Sequence, residues 1–203
     1  TMADITTPYT GLEKNHGVKL VRDYATAIDV EKKQVRIAKG DPISYDRVIV
    51  APGIDFMFDA LPGFNNAAAQ AEIMHAWKAG PQTAQLRKQL EEMPDGGVFV
   101  MSMPEAPYRC PPGPYERVCQ VASYFKAKKP KSKVLLLDAN QDVTSKGPLF
   151  KKAWAELYKD IIEYRPNSKA VDVDVKGKAV KLEFDGVKGS VLNVLPPMKA
   201  GKM

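Results

Sequence analysis

Two cysteines, Cys110 and Cys119, are the residues of this 203-residue chain best suited to redox chemistry, and their settings differ. Cys110 stands in Arg109-Cys110-Pro111-Pro112-Gly113-Pro114, just before a helix expected to start near Pro114. There the helix dipole and the guanidinium of Arg109 favour a thiolate, hence a reactive sulfur. A half-buried structural cysteine is the alternative, and local sequence does not separate the two. Cys119 falls on the stripe Tyr115, Val118, Cys119, Ala122, Phe125, whose helical spacing assigns it to a packed face. Their spacing is not C-x-x-C, and two cysteines make neither a disulfide framework nor a cysteine-only zinc site. His16 and His75 are the only histidines; neither has Cys, Asp or Glu at metal-binding spacing, so no metal is expected and both are read as solvated or capping.

A nucleotide-binding Rossmann unit needs its first strand to run into G-x-G-x-x-G, because only glycine lets the backbone approach a pyrophosphate at the helix N-terminus. Here the strand Val98–Met101 enters Pro104-Glu105-Ala106-Pro107-Tyr108-Arg109-Cys110-Pro111-Pro112, whose rigid prolines lack N–H donors. The dinucleotide cradle is missing. Asp138, where such a domain often carries its ribose-binding acid, is therefore read as a loop or capping residue. No Gly-x-Ser-x-Gly elbow and no P-loop occurs, which leaves acyl and phosphoryl transfer without support. The run Lys126, Lys128, Lys129, Lys131, Lys133 reads as a solvated helix end and turn, with docking to an acidic partner as the alternative.

The elements that must position these residues follow from composition and periodicity. With 44% hydrophobic and 27% charged residues the chain is globular. Thirty Lys and Arg against 24 Asp and Glu give +6, too little to imply nucleic acid. No apolar run approaches the roughly 18 residues of a membrane-spanning helix, and Thr1-Met2-Ala3-Asp4 does not open a signal peptide. Near the start, a helix is expected to stop at Gly17 before a strand at Val18–Val21. A hairpin pairs Ala27–Val30 with Gln34–Ile37, and Val48-Ile49-Val50 reads as a buried core strand broken at Ala51-Pro52-Gly53. Residues 55–80 are irregular and mark a boundary. A helix over Gln82–Met93 then precedes strand Val98–Met101, helix Tyr115–Lys128, strand Val134–Leu137 and helix Leu149–Ile161, an alternation that implies right-handed crossovers and a parallel sheet. Strands at Ala170–Val175, Ala179–Phe184 and Ser190–Leu195, with turns at Lys176-Gly177-Lys178 and Asp185-Gly186, complete a β-meander. The fold class is α/β.

Tyr45-Asp46-Arg47-Val48-Ile49-Val50-Ala51-Pro52-Gly53 resembles the strand and turn of two-dinucleotide-domain flavoproteins. Together with His75-Ala76-Trp77-Lys78-Ala79-Gly80, Arg109-Cys110-Pro111-Pro112-Gly113-Pro114-Tyr115-Glu116-Arg117 and Lys129-Pro130-Lys131-Ser132-Lys133-Val134, the chain resembles the flavoprotein subunit of flavocytochrome c sulfide dehydrogenase over most of its length. The resemblance implies residues 1–60 as the β-rich rear of an FAD-binding domain and 61–203 as a Rossmann-like, nicotinamide-type domain without its nucleotide loop. It also implies FAD as cofactor, sulfide as substrate, a c-type cytochrome as partner and a periplasmic location. Cys110 would be one half of a redox-active cystine whose other half is absent from these residues. Ala51, Pro52 and Gly53 would approach the flavin, and Ala25 the adenine end. Lacking the family's Gly-rich FAD loop, the chain by itself is expected to be inactive. Two further readings are a sulfide:quinone oxidoreductase relative and a non-catalytic basic binding module.

Overall fold

The computed structural model describes residues 2–202, which divide into residues 3–55 with the terminal segment from Lys199, and residues 56–198. In the first unit helix α1 (Thr10–His16) ends where Gly17 takes a left-handed φ of 64°, as its sequence foretells. The hairpin forms too: β1 (Ala25–Asp29) pairs antiparallel with β2 (Gln34–Ile37), and β3 (Ile43–Ser44) joins β2. Asp29 Oδ1 tightens the turn by accepting from the Lys32 amide at 2.9 Å.

Two expectations fail in this unit. Val18–Val21 is irregular, and Val48-Ile49-Val50 lies outside any strand, with Ile49 93% exposed. An apolar run becomes a core strand only where neighbouring strands take its backbone hydrogen bonds and covering layers take its side chains. Among the described residues 48–50 pair with no strand, and all three side chains keep an exposed surface. The chain then passes through β4 (Ile54–Phe56) into the second unit.

There, Asn66 caps α2 (Ala67–Glu72) by accepting from the Ala69 amide at 2.9 Å, and Pro81 opens α3 (Pro81–Glu92), where its missing N–H costs nothing. Next come β5 (Val98–Met103), α4 (Gly113–Lys128), β6 (Lys133–Asp138), α5 (Gly147–Leu157) and β7 (Ile162–Arg165). A meander of β8 (Ala170–Asp174), β9 (Ala179–Leu182) and β10 (Gly186–Lys188) is antiparallel, and β11 (Val191–Val194) returns to the parallel sheet. β12 (Met198–Ala200) pairs with β4. The sheet order is β11-β5-β6-β7, all parallel, so the α/β class is as expected. The expected strand Ser190–Leu195, however, belongs to this sheet, and the third meander strand is β10, where the sequence predicts a turn at Asp185-Gly186. Helix α5 stops at Leu157, four residues short of its expected end, and Ile162–Arg165, to which the sequence gave no element, forms a strand. The first strand of the sheet lies beside the last, which places the reversal of strand order between β5 and β11.

The apolar runs of β5 and β6 are buried on both faces, the pattern of strands inside a covered parallel sheet. Phe99, Met101, Val134 and Leu136 pack with Val118, Ala122 and Phe125 of α4. Val100, Leu135 and Leu137 face the other way, toward Leu61, Phe64, Val173 and Val180. Phe125 is fully buried, so Phe125→Ala is expected to cost about 3–5 kcal/mol and Val50→Ala under about 0.5 kcal/mol. Urea unfolding of the two variants checks this, and equal losses would contradict the assignment of the core.

Candidate functional site

At the carboxyl end of β5, where a dinucleotide-binding unit has its glycines, the chain turns back on itself. Asp138 at the end of β6 has no exposed surface. Its Oδ1 accepts from the backbone and side-chain nitrogens of Asn140, both at 2.8 Å, and its Oδ2 from the Tyr115 and Tyr164 hydroxyls at 2.9 and 3.1 Å. Thr144 Oγ1 joins the Tyr108 and Tyr115 hydroxyls at 2.6 and 3.2 Å. Burial pushes all three phenols up, so they stay protonated as donors. The carboxyl that could meet a ribose is thus consumed internally, tying down the loops after β5 and β6.

Cys110 lies exposed in this loop at φ 62°, a left-handed conformation uncommon for a residue with a Cβ, and its carbonyl accepts from the Gly113 amide at 2.9 Å. Helix α4 begins at Gly113, one residue before the expected start. A Cβ on Gly113 would lie 2.7 Å from the Trp77 ring and 3.0 Å from Cys110 Sγ, so glycine lets both close over the helix start. Trp77 Nε1 donates to the Arg109 carbonyl at 3.0 Å, and the Arg117 guanidinium lies 4.7 Å from the centre of the indole ring. Arg117 donates to the His75 and Ala76 carbonyls and to Asn193 Oδ1 at 3.0, 2.6 and 2.9 Å. Asn193 is itself fixed by donating to the Met74 and His75 carbonyls. Among the described residues Arg117 has no carboxylate partner. Burial lowers it to about 10, and the charge of Cys110 beside it pulls the other way. Cys110, Trp77 and Arg117, with Arg109 and Glu116, line one hollow of about 310 Å³. Within it an exposed thiol shares the lining with a guanidinium held by two carbonyls, an amide oxygen and an indole face.

His75 lies under the same loop. Its Nδ1 accepts from the Trp77 amide at 3.0 Å, and its ring centre lies 4.2 Å from that of Phe56. It is neither solvated nor a helix cap. Cys119 is half-buried against the core and takes a hydrogen bond from Trp154 Nε1 at 3.3 Å; burial pushes its thiol up, consistent with a packing role.

The other candidate residues lie in the first unit. The Ala51-Pro52-Gly53 turn is exposed, Gly53 has a φ of 74°, and its carbonyl accepts from the Gly201 amide at 3.1 Å. A Cβ on Gly201 would collide with the Pro52 carbonyl, so glycine is needed for the terminal segment to approach the turn. Ala25 starts β1 opposite Ile37. The lysine run is mostly exposed, with one member turned inward. Lys129 is buried, with Nζ donating to the Glu91 and Met93 carbonyls at the end of α3. Lys126 donates to the carbonyl of Leu157, the last residue of α5, and Lys133 to that of Asp160 beyond it.

Trp77 and Arg117 are the site residues to which the sequence reading gave no role. Both stand in the stretches that carry the resemblance, but their partners are remote in sequence.

Residues 83–196 match the family model described as the central region of the sulfide dehydrogenase (flavocytochrome c) flavoprotein chain. Among solved structures, the sulfide:quinone oxidoreductase of Aquifex aeolicus is similar at 14% identity and a TM-score of 0.60, over 88% of this chain and 42% of that one. A ferredoxin reductase from Rhodopseudomonas palustris is similar at 15% identity and a TM-score of 0.62, over 95% and 44%. The reduced CoADR-RHD of Bacillus anthracis is similar at 13% identity and a TM-score of 0.63, over 96% and 33%. These similarities are of fold, and the chain spans less than half of each of these proteins.

Burial, with Lys78 and Arg117 nearby, lowers His75 from 6.5 to about 4, so the folded ring is neutral where the unfolded ring takes a proton. Its contribution to stability is full above pH 6.5 and drains away as pH falls toward 4. For a half-buried ring this is worth about 1–2 kcal/mol after solvent screening. His75→Gln should flatten the loss of stability between pH 7 and pH 4, measured by urea midpoints. An unchanged slope would remove His75 as its source.

Proposed function

Because the chain belongs to the family of the flavocytochrome c sulfide dehydrogenase flavoprotein chain, we propose that it supplies Cys110 to an FAD-dependent oxidation of sulfide whose electrons pass to a c-type cytochrome. The observation that carries this reading is the exposed Cys110 thiol in one hollow with Arg117, whose guanidinium donates to two carbonyls and an amide oxygen. In the complete protein Cys110 pairs with a cysteine outside these residues, and the location is the periplasm. Hydrosulfide attacks the sulfur of that partner and the S–S bond breaks. Its electron pair stays on Cys110 Sγ, and the attacking sulfur, with its proton, remains on the partner as a persulfide. Arg117 favours this direction of cleavage because it steadies charge on Cys110.

Bound FAD supplies a two-electron acceptor that can release electrons singly. The residues of this chain that would meet it are Ala51, Pro52 and Gly53, with Ala25 toward the adenine end. The turn suits that role: its backbone is exposed, and the space at the Cβ position of Gly53 is open. The helix N-terminal glycine loop that grips a pyrophosphate is not among these residues, so the 203-residue chain alone is expected to hold FAD poorly and to be inactive.

A quinone acceptor is the second reading, favoured by the similarity in fold to the Aquifex aeolicus oxidoreductase. A basic docking module has less support, because Lys129 of the run is buried at the end of α3. The test is sulfide-dependent reduction of cytochrome c by the FAD-loaded full-length protein. Cys110→Ser should abolish it while FAD stays bound, and reduction of a soluble quinone but not of cytochrome c would favour the second reading. In the 203-residue chain, Arg117→Gln should slow alkylation of Cys110 by iodoacetamide at neutral pH about three- to ten-fold, with Arg117→Lys restoring most of the rate. An unchanged rate in folded Arg117→Gln would remove Arg117 from the mechanism.

A further inference from the structure

Two residues in the lining of the Cys110 hollow hold a left-handed backbone that a Cβ disfavours: Cys110 itself at φ 62° and the buried Ala76 at φ 46°. Lys33 and Lys178 take such values in hairpin turns, where the chain has to reverse. Neither Ala76 nor Cys110 lies in a hairpin. Strain of this kind persists only where the surroundings over-determine it, and it gathers where a group has to be aimed.

The constraint can be traced atom by atom. The backbone torsions of Cys110 set how the peptide before it is turned relative to the peptide after it. The following peptide is fixed by the Cys110 carbonyl, which accepts from the Gly113 amide at 2.9 Å. The preceding peptide is fixed by the Arg109 carbonyl, which accepts from Trp77 Nε1 at 3.0 Å. One peptide earlier, the Arg109 amide donates to Met198 Sδ at 3.4 Å. Trp77 is held in its turn. Its amide donates to His75 Nδ1 at 3.0 Å, the Ala76 amide donates to Gln82 Oε1 at 2.9 Å, and the Ala76 carbonyl accepts from Arg117 at 2.6 Å. One left-handed residue thus delivers the indole, and the indole holds another. Cys110 Sγ then lies 3.0 Å from where a Cβ on Gly113 would be, against the first residue of α4, with the indole packed on the same glycine.

We infer that Trp77 is a positioning residue for the Cys110 sulfur: by holding the Arg109 carbonyl, its indole N–H keeps Cys110 left-handed and Sγ at the start of α4, where a partner cysteine has to reach it. The last step rests on the reading of Cys110 as one half of a cystine. A relaxed Cys110 would carry Sγ away and lower its effective concentration toward that partner.

A cycle of variants in the 203-residue chain tests the hold on the backbone. Glycine adopts a positive φ freely and alanine does not, so Cys110→Gly should have an unfolding constant in urea about five-fold smaller than Cys110→Ala. With Trp77→Phe, which keeps a ring near Gly113 but has no N–H, the gap should close to under about two-fold. A Trp77 that merely packs would affect both Cys110 variants alike and leave the gap unchanged, which would overturn the proposal. If Trp77→Phe does not fold, benzothienylalanine at position 77, with sulfur in place of the indole N–H, replaces it in the cycle. In the full-length protein, Trp77→Phe should lower the equilibrium constant for forming the Cys110 cystine about five-fold, titrated against dithiothreitol. An unchanged constant would also overturn the proposal. A full-length protein that forms no cystine at Cys110, while the cycle holds, would place the failure in the reading of Cys110 and leave Trp77 with the backbone alone.

Discussion

A carboxyl group with no access to water has to be met by donors wherever the chain can provide them, and at Asp138 that requirement organises the whole carboxyl edge of the parallel sheet. The donors come from α4 through Tyr115, from β7 through Tyr164 and from the turn after β6 through Asn140. Asn140 extends the hold to the loop after β5 by donating to the Pro104 carbonyl and accepting from the Ala106 amide. Loops that in a nucleotide-binding domain would open around a ligand are here bound to one another. Such a network strengthens with completeness, since any missing member leaves a buried polar group behind.

The second network, around Arg117, answers a different demand. A guanidinium taken partly out of water without a carboxylate is held by carbonyls, an amide and an indole face. Those partners belong to the loop before α3 and to β11, so the charge also fixes the strand that completes the sheet. Charge and architecture meet beside the one exposed thiol of the unit.

Much of this was legible in the residues and some was not. The apolar runs at Val98 and Val134 and the stripe through Phe125 declare two strands and a helix, because both-sided burial and helical spacing leave distinct patterns. The loss of the dinucleotide cradle is equally plain from prolines where glycines are needed. Strand β7 was hidden because Tyr158 and Ile161 continue the spacing of α5 after the helix has ended. Val48-Ile49-Val50 looks like a core strand by composition, but burial depends on what flanks a strand, and composition does not report that. The roles of Trp77 and Arg117 were invisible for a related reason: a helical arginine reads as solvated until the carbonyls that receive it, some 40 residues away, are in place.

Lys129 shows how poorly formal charge describes a surface. Its ammonium lies inside the protein at the last carbonyls of α3, where it offsets the negative end of that helix dipole. The formal charge of +6 includes this ammonium although it is off the surface. Acetylation of Lys129, or attack by an amine-directed reagent, requires the end of α3 to open first. At this position such chemistry would act as a clock for local unfolding and would leave no footprint of a docked protein.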